Sequence, residues 1–307
     1  MAVSIPRTEH FGVDLRARAV GAYLGLAVGD ALGATVEFMT PAEIRVQYGW
    51  HDRIRGGGWL RLRPGQVTDD TTMALALGAS ILASGGVDAA AAARAFSDWM
   101  AAKPVDIGNT VRRGIVHFRR SGEPEAPASE HDAGNGACMR VLPVALATLG
   151  RPWEQVRAAV RAQAHVTHNN PLSDAACEAV VAMVQSALTG ADKLQLLHGP
   201  AARLQQTQPQ FAFRGRRRDN PSGYVVETLQ AVLQALFDTD GFRDCLVDVV
   251  NRGGDADTTG AIAGMIAGAL SGPEAVPSDW LAALAPEVTA ACRQQASALI
   301  ELALPRR

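Results

Sequence analysis

The chain has 307 residues, of which 48% are hydrophobic and 5% aromatic, and a formal net charge of −2 at pH 7. This length suits one large domain or two ordinary ones. The nearly balanced charge excludes a global electrostatic field that would favour nucleic acid or an acidic membrane surface. The apolar residues are mainly alanine, leucine and valine, which favours closely packed helices.

The cysteines and the first residues indicate the cellular setting. The four cysteines are far apart and form no C-x-x-C pair, so we expect buried free thiols rather than a zinc or redox motif. Met1 to Val13 has no signal-peptide pattern, and no apolar run reaches the roughly 20 residues of a membrane span. We therefore expect a soluble cytoplasmic protein.

Two predicted helices carry glycine at every fourth residue. In the first, predicted over Leu15 to Leu32, the spacing runs from Gly21 to Gly33, just past the helix end. In the second, predicted over Asp257 to Leu270, it runs from Gly260 to Gly272. A glycine inside a helix costs about 1 kcal/mol relative to alanine, so the stripes need a structural reason. A face without side chains lets two backbones approach closely. We expect the two helices to pack on each other, or each on another backbone.

Start and stop signals predict further helices along the rest of the chain. The clearest start is the capping box Thr40-Pro41-Ala42-Glu43, which begins a short helix to about Tyr48. Other helices are expected at 70–82, 89–102, 109–120, 135–149, 153–164, 171–188, 192–206, 223–237, 241–250 and 279–304, with exposed loops at 51–67, 121–134 and 209–222. We find no alternating strand and no linker, so we predict one all-α domain over 1–307 with its core at about 15–304.

Two oxygen-rich motifs stand at helix starts almost the length of the chain apart. Thr68-Asp69-Asp70-Thr71 opens one helix, and Asp255-Ala256-Asp257-Thr258 opens another. Carboxylate and hydroxyl oxygens suit Mg²⁺, Mn²⁺ or Ca²⁺ rather than Zn²⁺ or copper. With Glu37 the five carboxylates carry about −5, which two divalent cations would largely offset. The alternative is that Thr68 and Asp257 are only N-caps.

Several stretches between about residue 15 and residue 285 form a recognisable set: Gly21–Gly33 with Glu37–Met39, Gly56–Leu62, Pro64–Thr71, Pro104–Thr110, Asp132–Ala137, Thr167–His168 with Pro171–Asp174, and Gly253–Ala261. These stretches resemble the ADP-ribosylglycohydrolase family. The two aspartate motifs identify the family. The stretches between them favour the nitrogenase-linked subgroup, whose members reactivate dinitrogenase reductase.

The resemblance implies an all-helical fold and a binuclear site, with Mn²⁺ as the first expectation and Mg²⁺ as the alternative. It also implies hydrolysis of the N-glycosidic bond between ADP-ribose and a protein arginine. The residues that it assigns as metal ligands are Thr68, Asp69, Asp70, Asp255, Asp257 and Thr258, with Glu37 as a ligand or a gate.

The resemblance and the chemistry together suggest catalytic groups. The departing guanidine needs a nearby acid, and Asp106 is the candidate for that role or for holding the substrate arginine. The alternative is that Asp106 caps the helix that starts near Asn109. Glu37 and Asp69 are the candidates to assist attack at the anomeric carbon. Asp30, two turns before Glu37, is a weaker supporting candidate.

The substrate-binding candidates lie on loops. Gly108-Asn109-Thr110 and Gly134-Asn135-Gly136 precede predicted helices, whose free amides attract phosphates, although both are also ordinary turn sequences. The resemblance places His168 by the ribose and phosphate; a buried structural histidine is the alternative. Tyr224 is expected either to stack on adenine or to belong to the core. Asp132 is expected to support the site or to cap the following helix.

The resemblance also implies partners. They are ADP-ribosylated dinitrogenase reductase as substrate, and a PII signalling protein, which can hold the enzyme at a membrane ammonium transporter. No nucleic acid partner is expected. The alternatives are a relative that acts on ADP-ribosyl-serine or ADP-ribosylated DNA, a non-catalytic ADP-ribose-binding relative, and a binuclear phosphohydrolase, which the lack of metal-binding histidines disfavours.

Overall fold

The structure is a computed structural model that describes residues 14–131 and 133–304. These residues form helices joined by turns and loops, with two isolated bridges, Gly57–Leu62 and Gly134–Tyr224, and no β-strand. The predicted all-α class is confirmed. Met1 to Val13, where we noted no signal-peptide pattern, lies outside the described residues.

Most helices follow one another with short connections, whereas residues 49–68 and 122–141 form long loops. The helices are α1 Leu15–Gly33, α2 Pro41–Tyr48, α3 Asp69–Ser84, α4 Ala89–Ala101, α5 Asn109–Ser121, α6 Leu142–Ala147, α7 Trp153–Ala164, α8 Pro171–Leu188, α9 Lys193–Leu196, α10 Ala202–Thr207, α11 Val225–Asp238, α12 Phe242–Val250, α13 Ala256–Ser271, α14 Ser278–Ala283 and α15 Pro286–Ala303. A π-helical turn, Leu197–Ala201, joins α9 to α10, and two short 3₁₀ turns lie at Pro209–Phe211 and Pro273–Ala275.

Helices α1 and α13 pack backbone against backbone along their glycine stripes. A Cβ atom built on Gly25 would lie closer than 3.0 Å to the carbonyl oxygen of Gly264, and one built on Gly264 would meet the carbonyl oxygen of Gly25 in the same way. Gly29 pairs with Gly260 by the same test. Because the partner of a later residue in α1 is an earlier residue in α13, the two helices are antiparallel. The expectation that the two stripes meet is confirmed. Gly272 lies just past the end of α13, as its C-cap.

The helix starts explain why several predicted boundaries are correct. Helix α2 has both bonds of the capping box between Thr40 and Glu43, and Asp88 accepts a hydrogen bond from the Ala91 amide at the start of α4. Asn170 caps α8, whose first residue is proline. Each cap satisfies backbone N–H groups that a helix start leaves unpaired.

Three sequence-based expectations are wrong in part. The predicted helix 135–149 is helical only as α6, because Pro143 has no N–H for a continuous helix and residues 136–140 form turns. Residues 279–304 are two helices, since Pro286 forces Ala285 out of the helical region. The loop at 51–67 is not wholly exposed: His51 and Ile54 are among its buried residues.

The hydrophobic core of the described residues is one continuous cluster. One cluster of buried apolar side chains includes residues from α1 to α15. All four cysteines are buried and free, as expected. Within residues 14–131 and 133–304, no helix is both long and apolar enough to span a membrane. The single-domain assignment over 1–307 stays a prediction.

The close approach of α1 and α13 leads to a testable difference between two helical glycines. We expect Gly25→Ala to lower the free energy of unfolding by about 3 kcal/mol, because its methyl group would force two backbones apart. Gly199→Ala is the matched control, since a Cβ there meets nothing within 4 Å and alanine favours a helix. Urea denaturation measures both. Equal stabilities for the two variants would contradict the packing.

Candidate active site

The packing of α1 against α13 brings three carboxylates from distant parts of the chain together. Glu37 follows the end of α1, and Asp255 and Asp257 stand at the start of α13. One ligand oxygen from each of the three lies within 4.8 Å of the others, an arrangement that could hold a metal ion. Glu37 and Asp257 are buried, and Asp255 is partly buried.

The first aspartate motif is held against this cluster by Asp30. The Asp30 carboxylate accepts hydrogen bonds from the backbone N–H and the hydroxyl of Thr68, and from both groups of Thr71. The Thr68 hydroxyl also lies 3.3 Å from Asp70 Oδ2 and 3.5 Å from Asp257 Oδ2. Thr68 therefore connects the two motifs, and Asp30 has a larger supporting role than the sequence indicated.

The N-cap alternative does not describe these motifs. Thr68 occupies the N-cap position of α3, but its side chain makes no capping hydrogen bond. Asp255, rather than Asp257, is the N-cap residue of α13, and it makes no capping bond either. Asp257 lies inside the helix and accepts a hydrogen bond from the Thr258 amide at 2.9 Å. The Thr258 hydroxyl lies 4.0 Å from the sulfur of Met139.

Burial raises the pKa of four carboxyl groups at the site. It raises the pKa of Glu37 to about 8, with the nearby charge of Asp255 adding to the effect. It raises the pKa of Asp69 to about 7, with Asp106 as the largest charged contributor. Burial also raises the pKa values of Asp70 and Asp257 well above the usual range. The carboxylates thus favour protons in the absence of another cation.

The donor set fits divalent cations. It consists of carboxylate and hydroxyl oxygens, the ligands that Mg²⁺, Mn²⁺ and Ca²⁺ prefer. The Oδ1 atom of Asp70 is buried and has no hydrogen-bond partner among the described residues, which is costly unless a ligand satisfies it. The cluster can therefore hold metal; neither the number nor the identity of the ions follows from it.

Asp106 lies at the edge of the cluster, before α5. Its pKa is raised, first by burial, and its electrostatic influence reaches Glu37 and Asp69. Gly108 rather than Asp106 is the N-cap of α5, and Asp106 accepts a hydrogen bond from the Ile107 amide. The helix-cap alternative for Asp106 is thus wrong. The first turn of α5 at Gly108, Asn109 and Thr110 presents amides without intrahelical acceptors.

The Gly134–Gly136 turn lies beside the cluster but does not open a helix. The Asn135 amide group donates a hydrogen bond to Asp255 Oδ2 at 2.7 Å, and so ties the turn to the second motif. The expectation of a helix N-terminus here is wrong, because residues 136–140 form turns. Tyr224 pairs with Gly134 through an isolated bridge and is 41% exposed, so its ring is accessible to a stacking partner. Asp132 lies outside the described residues.

His168 is a buried, neutral side chain that is held by Thr167, which is itself held by Arg140. Arg140 Nη2 donates to the Thr167 hydroxyl at 2.8 Å, which leaves that hydroxyl its proton to donate to His168 Nδ1 at 2.7 Å. Burial lowers the pKa of His168 to about 3, so the ring is neutral. Nε2 and Cε1 lie against Gly134 and Gly136, where a Cβ atom would come within 2.9 Å of the ring. When Nδ1 accepts from the Thr167 hydroxyl, the proton of the ring is on Nε2 and His168 is a neutral donor at this turn.

Three residues of the site were missed by sequence reasoning. Trp59 donates its indole N–H to Glu37 Oε2 at 2.6 Å, and nothing in its glycine-rich loop indicated this contact. Arg140 and Thr167 orient His168. A charged residue inside an apolar run was a signal for Arg140, which is fully buried, bonded to Gln163 and stacked on Phe96.

These features define a class of protein: an all-α fold with an oxygen-rich cluster at two helix starts. The family model for ADP-ribosylglycohydrolase matches residues 12–306, and the chain belongs to this family. A solved structure described as an ADP-ribosylglycohydrolase-related protein complex superposes with a TM-score of 0.84 at 34% identity, and covers 94% of this chain and 99% of that one.

Two relatives with named activities are similar to this chain over most of its length. The chain is 52% identical over 292 residues to the ADP-ribosyl-dinitrogen reductase glycohydrolase of Rhodospirillum rubrum, which is 95% of this chain and 98% of the relative. It is 35% identical over 282 residues to the ADP-ribosylarginine hydrolase Tri1 of Pseudomonas putida, or 86% of this chain and 73% of that one.

The raised pKa values predict how stability depends on pH and cations. From about pH 4 to pH 8 the folded, metal-free chain binds more protons than the unfolded chain, so its free energy of unfolding falls as pH rises. A divalent cation at 100 times its Kd should restore about 3 kcal/mol near pH 8. Thermal melts with EDTA, Mn²⁺ or Mg²⁺ measure this. A pH profile identical with EDTA and with cation would contradict it, and Asp69→Asn should flatten the EDTA profile.

The arrangement around His168 predicts a tautomer effect. In Thr167→Val the ring loses its donor at Nδ1, so we expect a mixed tautomer population in place of the Nε2–H form. Stability should fall by about 1–3 kcal/mol, because buried Arg140 loses an acceptor. Imidazole ¹⁵N chemical shifts measure the tautomer. Thr167→Ser keeps the hydroxyl and should keep the wild-type shifts; a Valine variant with unchanged shifts would refute the assignment.

Proposed function

We propose that this protein hydrolyses the N-glycosidic bond between ADP-ribose and an arginine side chain of a protein, with dinitrogenase reductase as the substrate protein. The observation that carries the proposal is the meeting of Glu37, Asp255 and Asp257 beside the Thr68–Thr71 motif. The two curated relatives support it, since both are named as hydrolases of ADP-ribosylated protein or arginine. Intact acidic motifs disfavour a non-catalytic relative.

We propose two divalent cations, Mn²⁺ or Mg²⁺, as cofactors. The residues that would hold them are Thr68, Asp69, Asp70, Asp255, Asp257 and Thr258, with Glu37 as a further ligand or gate. When bound, the cations polarise the ribose hydroxyl groups and offset the carboxylate charge. The five carboxylates and the unpaired Asp70 Oδ1 support this assignment.

The groups of the substrate would have complementary surroundings near the acidic cluster. The first-turn amides of α5 and the Gly134–Gly136 turn with Asn135 offer donors to the pyrophosphate. His168 offers a neutral N–H to a ribose or phosphate oxygen and does not accept a proton at Nε2. The half-exposed ring of Tyr224 can stack on adenine.

The chemistry needs one base and one acid. Glu37 or Asp69 takes a proton from the attacking water, whose oxygen forms the new bond to the anomeric carbon. Asp106, whose raised pKa favours its protonated form, gives a proton to the departing guanidine nitrogen as the old bond breaks. The products are ADP-ribose and unmodified arginine, and the two proton transfers balance.

The regulatory setting is also part of the proposal. By its family resemblance, the enzyme works in the cytoplasm and is regulated by a PII signalling protein, which can hold it at a membrane ammonium transporter. The described residues contain no helix that could itself span a membrane, so such an association would depend on a partner.

Release of free ADP-ribose from ADP-ribosyl-arginine protein tests the function. With Mn²⁺ the wild type should release it, and Asp106→Asn should lower kcat by about 100-fold because the leaving nitrogen loses its acid. Asp257→Asn should abolish the release that Mn²⁺ supports, because it removes a carboxylate that would hold the metal. Asp244→Asn, an exposed change on α12, is the matched control and should behave as wild type. No release by the wild type would refute the proposal, as would selective release from ADP-ribosyl-serine protein.

A further inference from the structure

A cavity beside Glu37 is lined mainly by residues that the proposed substrate-binding groups do not include. Its volume is about 420 Å³, and it is bounded by Glu37, the loop around Trp59 and one face of α2. That is large enough for a long side chain. Glu37 belongs both to this cavity and to the metal-binding cluster, so whatever occupies the cavity lies next to the reacting centre.

The lining of this cavity, which we call the α2 cavity, is aromatic and acidic. Phe38, Tyr48 and Trp59 contribute rings, and Phe38 and Trp59 pack on each other with centroids 5.4 Å apart. Glu37 and Glu43 contribute carboxylates. None of the described residues that line it is lysine, arginine or histidine. Aromatic faces with carboxylates are the surroundings that bind guanidinium or ammonium groups.

Two groups in the cavity have capacity left for a ligand. Glu43 Oε2 is occupied by the amide and hydroxyl of Thr40, whereas its Oε1 has no hydrogen-bond partner among the described residues. These bonds from Thr40 lower the pKa of Glu43, which keeps it charged. The hydroxyl of Thr35, which also lines the cavity, is buried and has no partner there. Tyr48 already has one cation near its ring, Arg55 at 5.8 Å.

Phe38 has an exposed side chain and a strained backbone conformation. Its φ is +62°, a left-handed conformation that glycine adopts more easily, yet its side chain is 63% exposed. Backbone hydrogen bonds from Phe38 N–H to Gly254 and from Gly254 N–H to Met39 hold it there. A strained, exposed aromatic residue beside a reacting centre indicates a ligand contact.

We propose that the α2 cavity binds a cationic side chain, arginine or lysine, that flanks the modified arginine in the protein substrate. This inference rests on the proposed function. A polypeptide that presents its ADP-ribosylated arginine to the cluster has neighbouring residues close to Glu37, and a basic one finds the aromatic rings and the Glu43 carboxylate. The cavity thus makes the enzyme select its substrate by the sequence around the modified residue.

Two ADP-ribosylated peptides test the selection, one with lysine and arginine flanks and one with glutamine in their place. We expect wild type to favour the basic peptide in kcat/KM, through KM. Glu43→Gln keeps the capping box, and Phe38→Gly relieves the left-handed strain, so both should fold. Each should reduce the preference by about fivefold. Val46→Ala, an exposed change on α2 outside the cavity, is the matched control and should keep it.

A binding measurement separates this inference from the proposed function. Acetyl-arginine amide should shift the Trp59 indole N–H resonance, acetyl-citrulline amide should not, and Glu43→Gln should weaken the shift. Equal shifts with both probes, no shift, or an unchanged peptide preference in both variants would overturn the inference. If wild type cleaves neither peptide, the proposed function fails, while the resonance test still decides whether the cavity binds a cation.

Discussion

The close approach of two helix backbones is the constraint on which the rest of the structure depends. Helices α1 and α13 touch along glycines such as Gly25 and Gly264, where no side chain fits between them. Their antiparallel packing sets the end of α1 beside the start of α13. Glu37 and Asp257, more than two hundred residues apart, become neighbours for that reason alone. Helices α1 and α13 bury no side chains at these glycine positions, but their close backbone contact holds the site residues in place.

The packing of α1 on α13 brings several carboxylates together. The cost of their burial and mutual repulsion is offset either by hydrogen bonds or by binding of protons or metal ions. Asp30 is itself buried, with its pKa raised to about 6, but four hydrogen bonds from Thr68 and Thr71 oppose the cost of burial. Glu37, Asp69, Asp70 and Asp257 have fewer donors, so their raised pKa values favour protons or metal ions. A site that is unfavourable as a set of free carboxylates is therefore suited to divalent cations, which provide the charge that the chain lacks.

Two groups of residues with different chemistry lie near the acidic cluster. Asn135, which bonds Asp255, belongs with His168 and the amides of α5 to a group of neutral donors suited to the anionic half of ADP-ribose. Phe38, Trp59 and Glu43 line a cavity with Glu37 and offer rings and a carboxylate suited to a cation. A substrate that joins ADP-ribose to a basic polypeptide has the same polarity. Under the proposed function, the two groups would let the enzyme recognise both the modification and the protein that carries it.

The sequence by itself determined the all-α class, most helix boundaries, the meeting of the glycine stripes and the oxygen-rich motifs, because caps, periodicity and ligand chemistry are local properties. Prolines 143 and 286 were equally visible, but their effect on 135–149 and 279–304 was underestimated. Only the tertiary structure decided that Asp30 organises α3, that Arg140 and Thr167 hold His168, and that Trp59 bonds Glu37. These contacts join residues from separate helices and loops, and a single sequence carries no distance between such residues until the chain is packed.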